Sequence, residues 1–354
     1  MRIGIRADGG TIIGMGHIIR SLALASKLKE NGHEVFFICR EDNFSDKYTN
    51  GIKLLGVSGF KLVTIKEKEL KREIKNIEAD CILTDSYDVD EEYFDIIKTK
   101  FLVSGCIYDR DCQNISKFNV DFFVNPDLYA TKEDYITNDN TKKLIGSKYI
   151  ILRKEFLECG NNQFKVASTI ENIMVTLGGS NSYSYINKIL ENIINLEHYN
   201  FFIILGIGIS NYHKESLIKA YSKYKNINIF YNVNNIWDIM LKCDLAISAC
   251  GTTLYELMYL GIPTIGIVTA ENQIVMGEYL IHNDIISVCE ANCIKEAILE
   301  LNFSKRREMN NIYKKIVDGK GIDRITKTIE SLYNKKALEE NNEKSNYNSS
   351  KNGF

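Results

Sequence analysis

No apolar run in the 354-residue sequence is long enough to cross a bilayer. The longest, such as Phe201-Phe-Ile-Ile-Leu205, are strand-sized, whereas a spanning helix needs ~20 residues. Charge of one sign is also missing. Lys and Arg number 44 against 46 Asp and Glu, a net charge of −2. That leaves no basic footprint for nucleic acid or acidic membranes, so neither a nucleic-acid partner nor stable membrane association is expected. The nine cysteines are scattered without a CxxC pair. The nearest neighbours, Cys106/Cys112 and Cys289/Cys293, have no second pair to complete a zinc site. A reduced, cytoplasmic protein with no metal and no cofactor is the expectation. The stretch Met1 to Asp8 lacks the n-region, apolar stretch and cleavage site of a signal peptide and is not read as one. With 45% hydrophobic and 25% charged residues the chain is neither disordered nor a coiled coil.

What is present is alternation. Residues 3–7 read as a buried strand and residues 9–16 as a glycine-containing loop. Residues 17–30 read as a helix, with Leu22, Ala25 and Leu28 at helical spacing and Asn31-Gly32 as its stop. Further strands are expected at 35–39, 61–65, 81–84, 101–107 and 122–124. The pattern restarts at 173–177 and continues through 201–205, 227–231, 245–248 and 264–268, with helices between. Such alternation argues for parallel sheets covered on both faces. The expected class is α/β, with two Rossmann-like doubly wound domains facing a cleft. They are placed at 1–157 and 173–335, with a polar linker at 158–172 between them. A tail of Glu, Asn, Lys and Ser at 336–354 is expected to be disordered. Sheets of this kind take ligands beyond the carboxyl ends of their strands.

The candidate site residues lie at those ends. Gly14-Met-Gly-His17 sits at the first strand-to-helix turn. It fails as a dinucleotide fingerprint, because Ile19 takes the third glycine's place and the second strand ends at Cys39-Arg40 without an acidic residue. No Lys-Ser/Thr follows to make a Walker loop. Gly14 and Gly16 still let backbone amides approach a phosphate, or they only make a tight turn. His17, facing a cleft from a helix start, is a candidate general base; a histidine that merely packs is the alternative. Tyr87, just past the fourth strand, is a candidate sugar contact. Asp88-Val-Asp90 matches a weak metal-transferase pattern but reads as the acidic start of a helix.

In the second half, Gly178, Gly179 and Ser180 end a strand at the cleft and allow close backbone approach. The stretch Ser248-Ala-Cys-Gly-Thr-Thr-Leu-Tyr-Glu256 runs from strand through turn to helix. Ser248, Gly251, Thr252 and Thr253 are candidates for a diphosphate, with the free amides of the helix start. Glu256 is a candidate for a ribose diol, although Thr253 to Glu256 equally spells a capping box. Asn272 and Gln273 would hydrogen-bond a nucleotide or sugar, or cap the next helix.

Taken together, the stretches Arg6-Ala-Asp8, Ile13-Gly-Met-Gly-His17-Ile-Ile-Arg20, Tyr149-Ile-Ile-Leu-Arg153-Lys-Glu-Phe156, Val175-Thr-Leu-Gly-Gly-Ser180, Ser248 to Glu256, Gly261-Ile-Pro263 and Glu271-Asn-Gln273 appear in family order over about residues 1 to 280. They resemble nucleotide-sugar glycosyltransferases of the B type. More narrowly they resemble the UDP-sugar hydrolases of pseudaminic acid biosynthesis and their spore-coat polysaccharide relatives. That resemblance implies a metal-independent, inverting hydrolase that releases UDP from a UDP-linked 2,4-diacetamido-2,4,6-trideoxyhexose, with His17 activating water. A B-type transferase using a UDP-sugar donor in surface or spore-coat polysaccharide synthesis is the first alternative. A non-catalytic nucleotide-sugar-binding protein is the second. A monomer or weak dimer is expected.

Overall fold

The computed structural model describes residues 1–10, 13–42, 47–109, 115–132, 134–159, 164–178, 182–206, 208–233 and 235–351. Two parallel sheets organise the chain. The first contains β1 (Arg2–Ala7), β2 (Glu34–Glu41), β3 (Lys61–Lys66), β4 (Cys81–Asp85), β5 (Val103–Ile107), β6 (Phe122–Asn125) and β7 (Lys142–Ile145), in the order β3-β2-β1-β4-β5-β6-β7. The second contains β8 (Asn172–Thr176), β9 (Asn200–Leu205), β10 (Ile227–Tyr231), β11 (Leu245–Ala249), β12 (Thr264–Ile267) and β13 (Ser287–Val288), in the order β10-β9-β8-β11-β12-β13. Every strand pair is parallel, for example Ile3 beside both Val35 and Cys81. The central strands are buried along their whole length, as in Cys-Ile-Leu-Thr-Asp of β4. That is why they read as continuous apolar runs and not as alternation: helices cover both faces.

Each sheet reverses its winding once. In the first sheet β1 lies between β2 and β4, and in the second β8 lies between β9 and β11. Chains leaving the carboxyl ends of these paired strands diverge to opposite faces and open a crevice. Four helices start at those crevices or beside them: α1 (Gly16–Glu30), α2 (Tyr183–Ile193), α3 (Thr252–Leu260) and α4 (Ile274–His282). The turn into α1 depends on Gly14, whose φ of +83° is the left-handed conformation that suits glycine. Gly178, φ +62°, makes the matching turn after β8.

The last helix, α5 (Gly321–Lys351), departs from expectation in two ways. Its stripe of Ile322, Ile325 and Ile329 is buried in the core of the first sheet, not the second, so the expected boundary at 335 divides the chain where packing does not. The helix also continues through the polar segment expected to be disordered. Once a helix is nucleated by packing, extension costs little per residue, and Ala337, Leu338, Glu339 and Glu340 are good helix formers. Strands β7 and β13 were not among those expected. The expected linker's Asn161-Asn162-Gln163 lies outside the described residues. No helix among the described residues is long and apolar enough to cross a membrane.

Candidate active site

One cavity of about 380 Å³ lies between the carboxyl ends of the two sheets, walled by both halves of the chain. On the first-sheet side stands His17, the second residue of α1. Its ring Nδ1 is 2.7 Å from Oδ1 of Asp85, the last residue of β4. Asp85 is fully buried, yet its carboxyl lies below the usual range: burial pushes it up, and the Arg20 charge, with hydrogen bonds from Arg20 and His17, outweighs that. Arg20, one turn along α1, donates to Asp85 through Nε (2.7 Å) and Nη2 (2.5 Å), and Ser21 adds its hydroxyl at 3.1 Å. An ionised Asp85 fixes the ring proton on Nδ1. The 3.1 Å approach of Arg20 Nη2 to that nitrogen is therefore proximity and not a donated bond. Nε2 is left as the basic nitrogen.

Arg20 also pairs with Asp109, just beyond β5. Tyr87 donates to the same carboxylate at 2.5 Å and sets its ring edge against His17, centroids 4.5 Å apart. Burial pushes the Asp109 carboxyl up, but the Arg20 charge holds it below the usual range. One guanidinium thus faces two carboxylates, an arrangement that stabilises an imidazolium formed when His17 takes a proton.

The other walls mix backbone with side chains such as Leu177, Tyr255 and Met276. Met15, Ser182 and Gly251, the residues before α1 to α3, line the cavity, and none forms a side-chain cap. Helix α4 instead continues a 3-10 turn, Glu271–Gln273, so that its first amides are already bonded, Gln273 to the Ala270 carbonyl and Ile274 to that of Glu271. The starts of α1, α2 and α3 thus share one space, which suits a polyanion. The capping box weighed as the alternative at Thr253 to Glu256 does not form, because α3 begins at Thr252 with Gly251 before it.

Of the residues singled out in the sequence, Gly14, Gly16, His17, Tyr87, Gly178, Gly251, Thr252, Thr253, Asn272 and Gln273 line the cavity together. Gly179 and Ser180 lie outside the described residues. Two expectations are corrected. Ser248 is buried within β11, its hydroxyl turned to the Ala249 carbonyl at 3.2 Å, and it does not reach the cavity. Glu256 is not on the cavity wall either. Its oxygens are taken by the fork of Arg153, Nε at 2.6 Å and Nη2 at 2.9 Å. Gln273 is tied as well, accepting from the Thr269 amide and hydroxyl at 3.0 and 3.1 Å. Asp90 does start a helix, accepting from the Tyr93 amide at 2.9 Å, and Asp88 pairs with Arg40. Among the described residues no group of three His, Cys, Asp or Glu is placed to hold a metal.

Sequence reasoning missed Asp85, Asp109, Asp127 and Tyr255. Arg20 stood at the end of a quoted motif without a role. The signal for Asp85 and Asp109 was positional: Asp85 ends an apolar strand and Asp109 lies two residues past another.

Comparison with known proteins bears on the same halves. Residues 172–316 match the model of the glycosyltransferase family 28 C-terminal domain. Over 348 residues the chain is 23% identical to the spore coat polysaccharide biosynthesis protein SpsG of Bacillus subtilis, covering 94% of this chain and 99% of that one. Over 266 residues it is 23% identical to the UDP-2,4-diacetamido-2,4,6-trideoxy-beta-L-altropyranose hydrolase of Campylobacter jejuni, covering 73% and 89%. Among solved structures it superposes on a UDP-glucosyltransferase from Polygonum tinctorium with TM-score 0.63, 10% identity and coverage of 94% and 98%. Two Rossmann-like domains facing a cleft, with the helix starts of both turned into it, give this chain the B-type glycosyltransferase fold.

Proposed function

We propose that the chain is an enzyme that breaks the anomeric C–O bond of a UDP-sugar and passes the sugar to an acceptor hydroxyl in surface or spore-coat polysaccharide synthesis. One observation carries this reading: three helix starts without side-chain caps and the Asp85-backed His17 share a single cavity. The helix starts would hold the diphosphate. His17 Nε2 would take the proton of the attacking O–H as its oxygen reaches C1 from the face opposite UDP, which inverts the anomeric centre. The departing β-phosphate has a last pKa of about 6 and needs little protonation. Fixed dipoles stabilise its charge without reorganising. The matched family model and the solved glucosyltransferase support transfer.

Hydrolysis is the second reading, with water in place of the acceptor. The similarity to the altropyranose hydrolase, which reaches 89% of that protein, favours it. The deciding experiment incubates the full chain with a panel of UDP-hexoses and UDP-N-acetylhexosamines and follows free UDP. Release that requires an added acceptor supports transfer. Release by the protein alone supports hydrolysis. Binding of UDP with no release under either condition overturns both.

A further inference from the structure

Asp127 is a half-buried, cavity-lining carboxyl that the chemistry above leaves without a task. It sits two residues past β6, where its amide bonds the Asn125 side chain at 3.0 Å and so fixes the turn. The groups around it come from every neighbouring element. Tyr255 of α3 donates its hydroxyl to Oδ1 at 2.7 Å. Asp109, after β5, opposes its ionisation, and Arg20 of α1 favours it. Tyr129, whose hydroxyl donates to the Asp109 carbonyl at 3.0 Å, also favours the ionised form. His17 shares the cavity. Burial first, and the Asp109 charge second, push the Asp127 carboxyl up to about 7.

A carboxyl is a poor neighbour for a diphosphate, and the helix starts already supply a cationic lining for one. Asp127 belongs instead to the first-sheet wall with His17, where the reacting carbon must lie. We propose that Asp127 is a specificity residue that accepts a hydrogen bond from a hydroxyl or amide N–H on the sugar ring, while Tyr255, from the other half of the chain, fixes its orientation. This rests on the UDP-sugar reading. A carboxylate accepting from a ligand donor is favoured in its charged form. Sugar binding therefore draws the proton off Asp127, and affinity for the UDP-sugar rises with pH through about 7.

The test is calorimetric titration of the full chain carrying His17→Asn, which slows turnover by ~10²–10⁴-fold so that binding is read. The probes are UDP alone and the UDP-sugar turned over in the release assay, each in two buffers of different ionisation enthalpy. At pH 7 the expected release is about half a proton per UDP-sugar bound and no more than about a tenth for UDP, from its own terminal phosphate. Adding Asp127→Asn should abolish the release and weaken the UDP-sugar at least ~10-fold, with UDP unchanged, as for loss of a hydrogen bond to a charged group. Tyr255→Phe, which keeps the carboxylate, should move the rise in affinity to higher pH and gives a readout if Asp127→Asn fails to fold. Equal weakening of UDP and UDP-sugar, unchanged UDP-sugar affinity, or proton uptake would each overturn the assignment. Failure of the unmutated chain to bind UDP at all would instead overturn the reading on which it rests.

Discussion

His17 differs from the other four histidines in what stands behind it. His33 holds Glu330 at 3.1 Å, His213 stacks on Tyr183 at 4.1 Å, His198 leans on Tyr199, and His282 ends α4. His17 alone, among the described residues, has its ring nitrogen on a buried carboxylate. His17→Asn should lower turnover ~10²–10⁴-fold with UDP affinity retained, the range expected for a lost general base. Asp85→Asn should lower it by ~10⁴-fold, since an amide no longer fixes the tautomer. Steady-state rates and UDP titrations on folded variants check both; near-normal turnover in either would remove the proposed base. The position of His17 was legible in the sequence because a helix start after a glycine turn is a local pattern. Its partner was not. The 68 residues between His17 and Asp85 are closed only because β1 and β4 pair, and residue spacing along the chain does not carry that information.

Helices α1 to α4 show the same divide between local and non-local signals. The starts of α1 and α2 could be placed from Gly14 and Gly178 at strand ends, because a left-handed turn calls for glycine wherever it occurs. The strands could be placed where both faces are covered. Strand β7 could not, because in Lys-Lys-Leu-Ile only Leu144 is buried and no apolar run marks it. Glu256 exposes the limit most directly. Its spacing from Thr253 satisfies a capping box, and its place one turn into α3 suits a ribose, yet Arg153, 103 residues earlier, takes both oxygens. The pair is mostly screened from solvent, at 26% and 8% side-chain exposure. Removing one partner of such a pair costs on the order of 1–3 kcal/mol through the group left unsatisfied. Glu256→Gln should therefore lower the ligand-free melting temperature while UDP affinity stays the same. Melting curves with and without UDP decide it, because a ribose contact would give the reverse: weaker UDP at unchanged Tm.

Across the whole molecule, α5 is the strap that returns the chain from the second sheet to the first. Its inner face buries Ile322, Ile325 and Ile329 against the core that includes Leu24 and Leu28 of α1. Its flanks are tied by Lys27 to Asp323 (2.9 Å), Asn31 to Glu330 (2.7 Å), and Lys336 to the Leu102 carbonyl (2.9 Å) and Asp121 (2.6 Å). Three fully buried isoleucines contribute roughly 5–9 kcal/mol by area, a large part of the ~5–15 kcal/mol that holds a typical domain folded. The exposed ion pairs add little to that. Beyond Lys336 the balance changes. Leu338 is 64% exposed, and residues 339–343 are exposed as well. The extended helix there is continuation without packing, and its loss removes no buried surface. A chain ending at Lys336 should keep both its rate of UDP release and its melting temperature. A chain ending at Lys320 should lose the apolar cover of the first sheet and with it the seat of α1, which carries His17. It should melt many degrees lower or be recovered only as aggregate, with no turnover. If the shorter cut alone abolished activity at unchanged stability, the outer turns of α5 would belong to the working site and not merely to the helix that carries them.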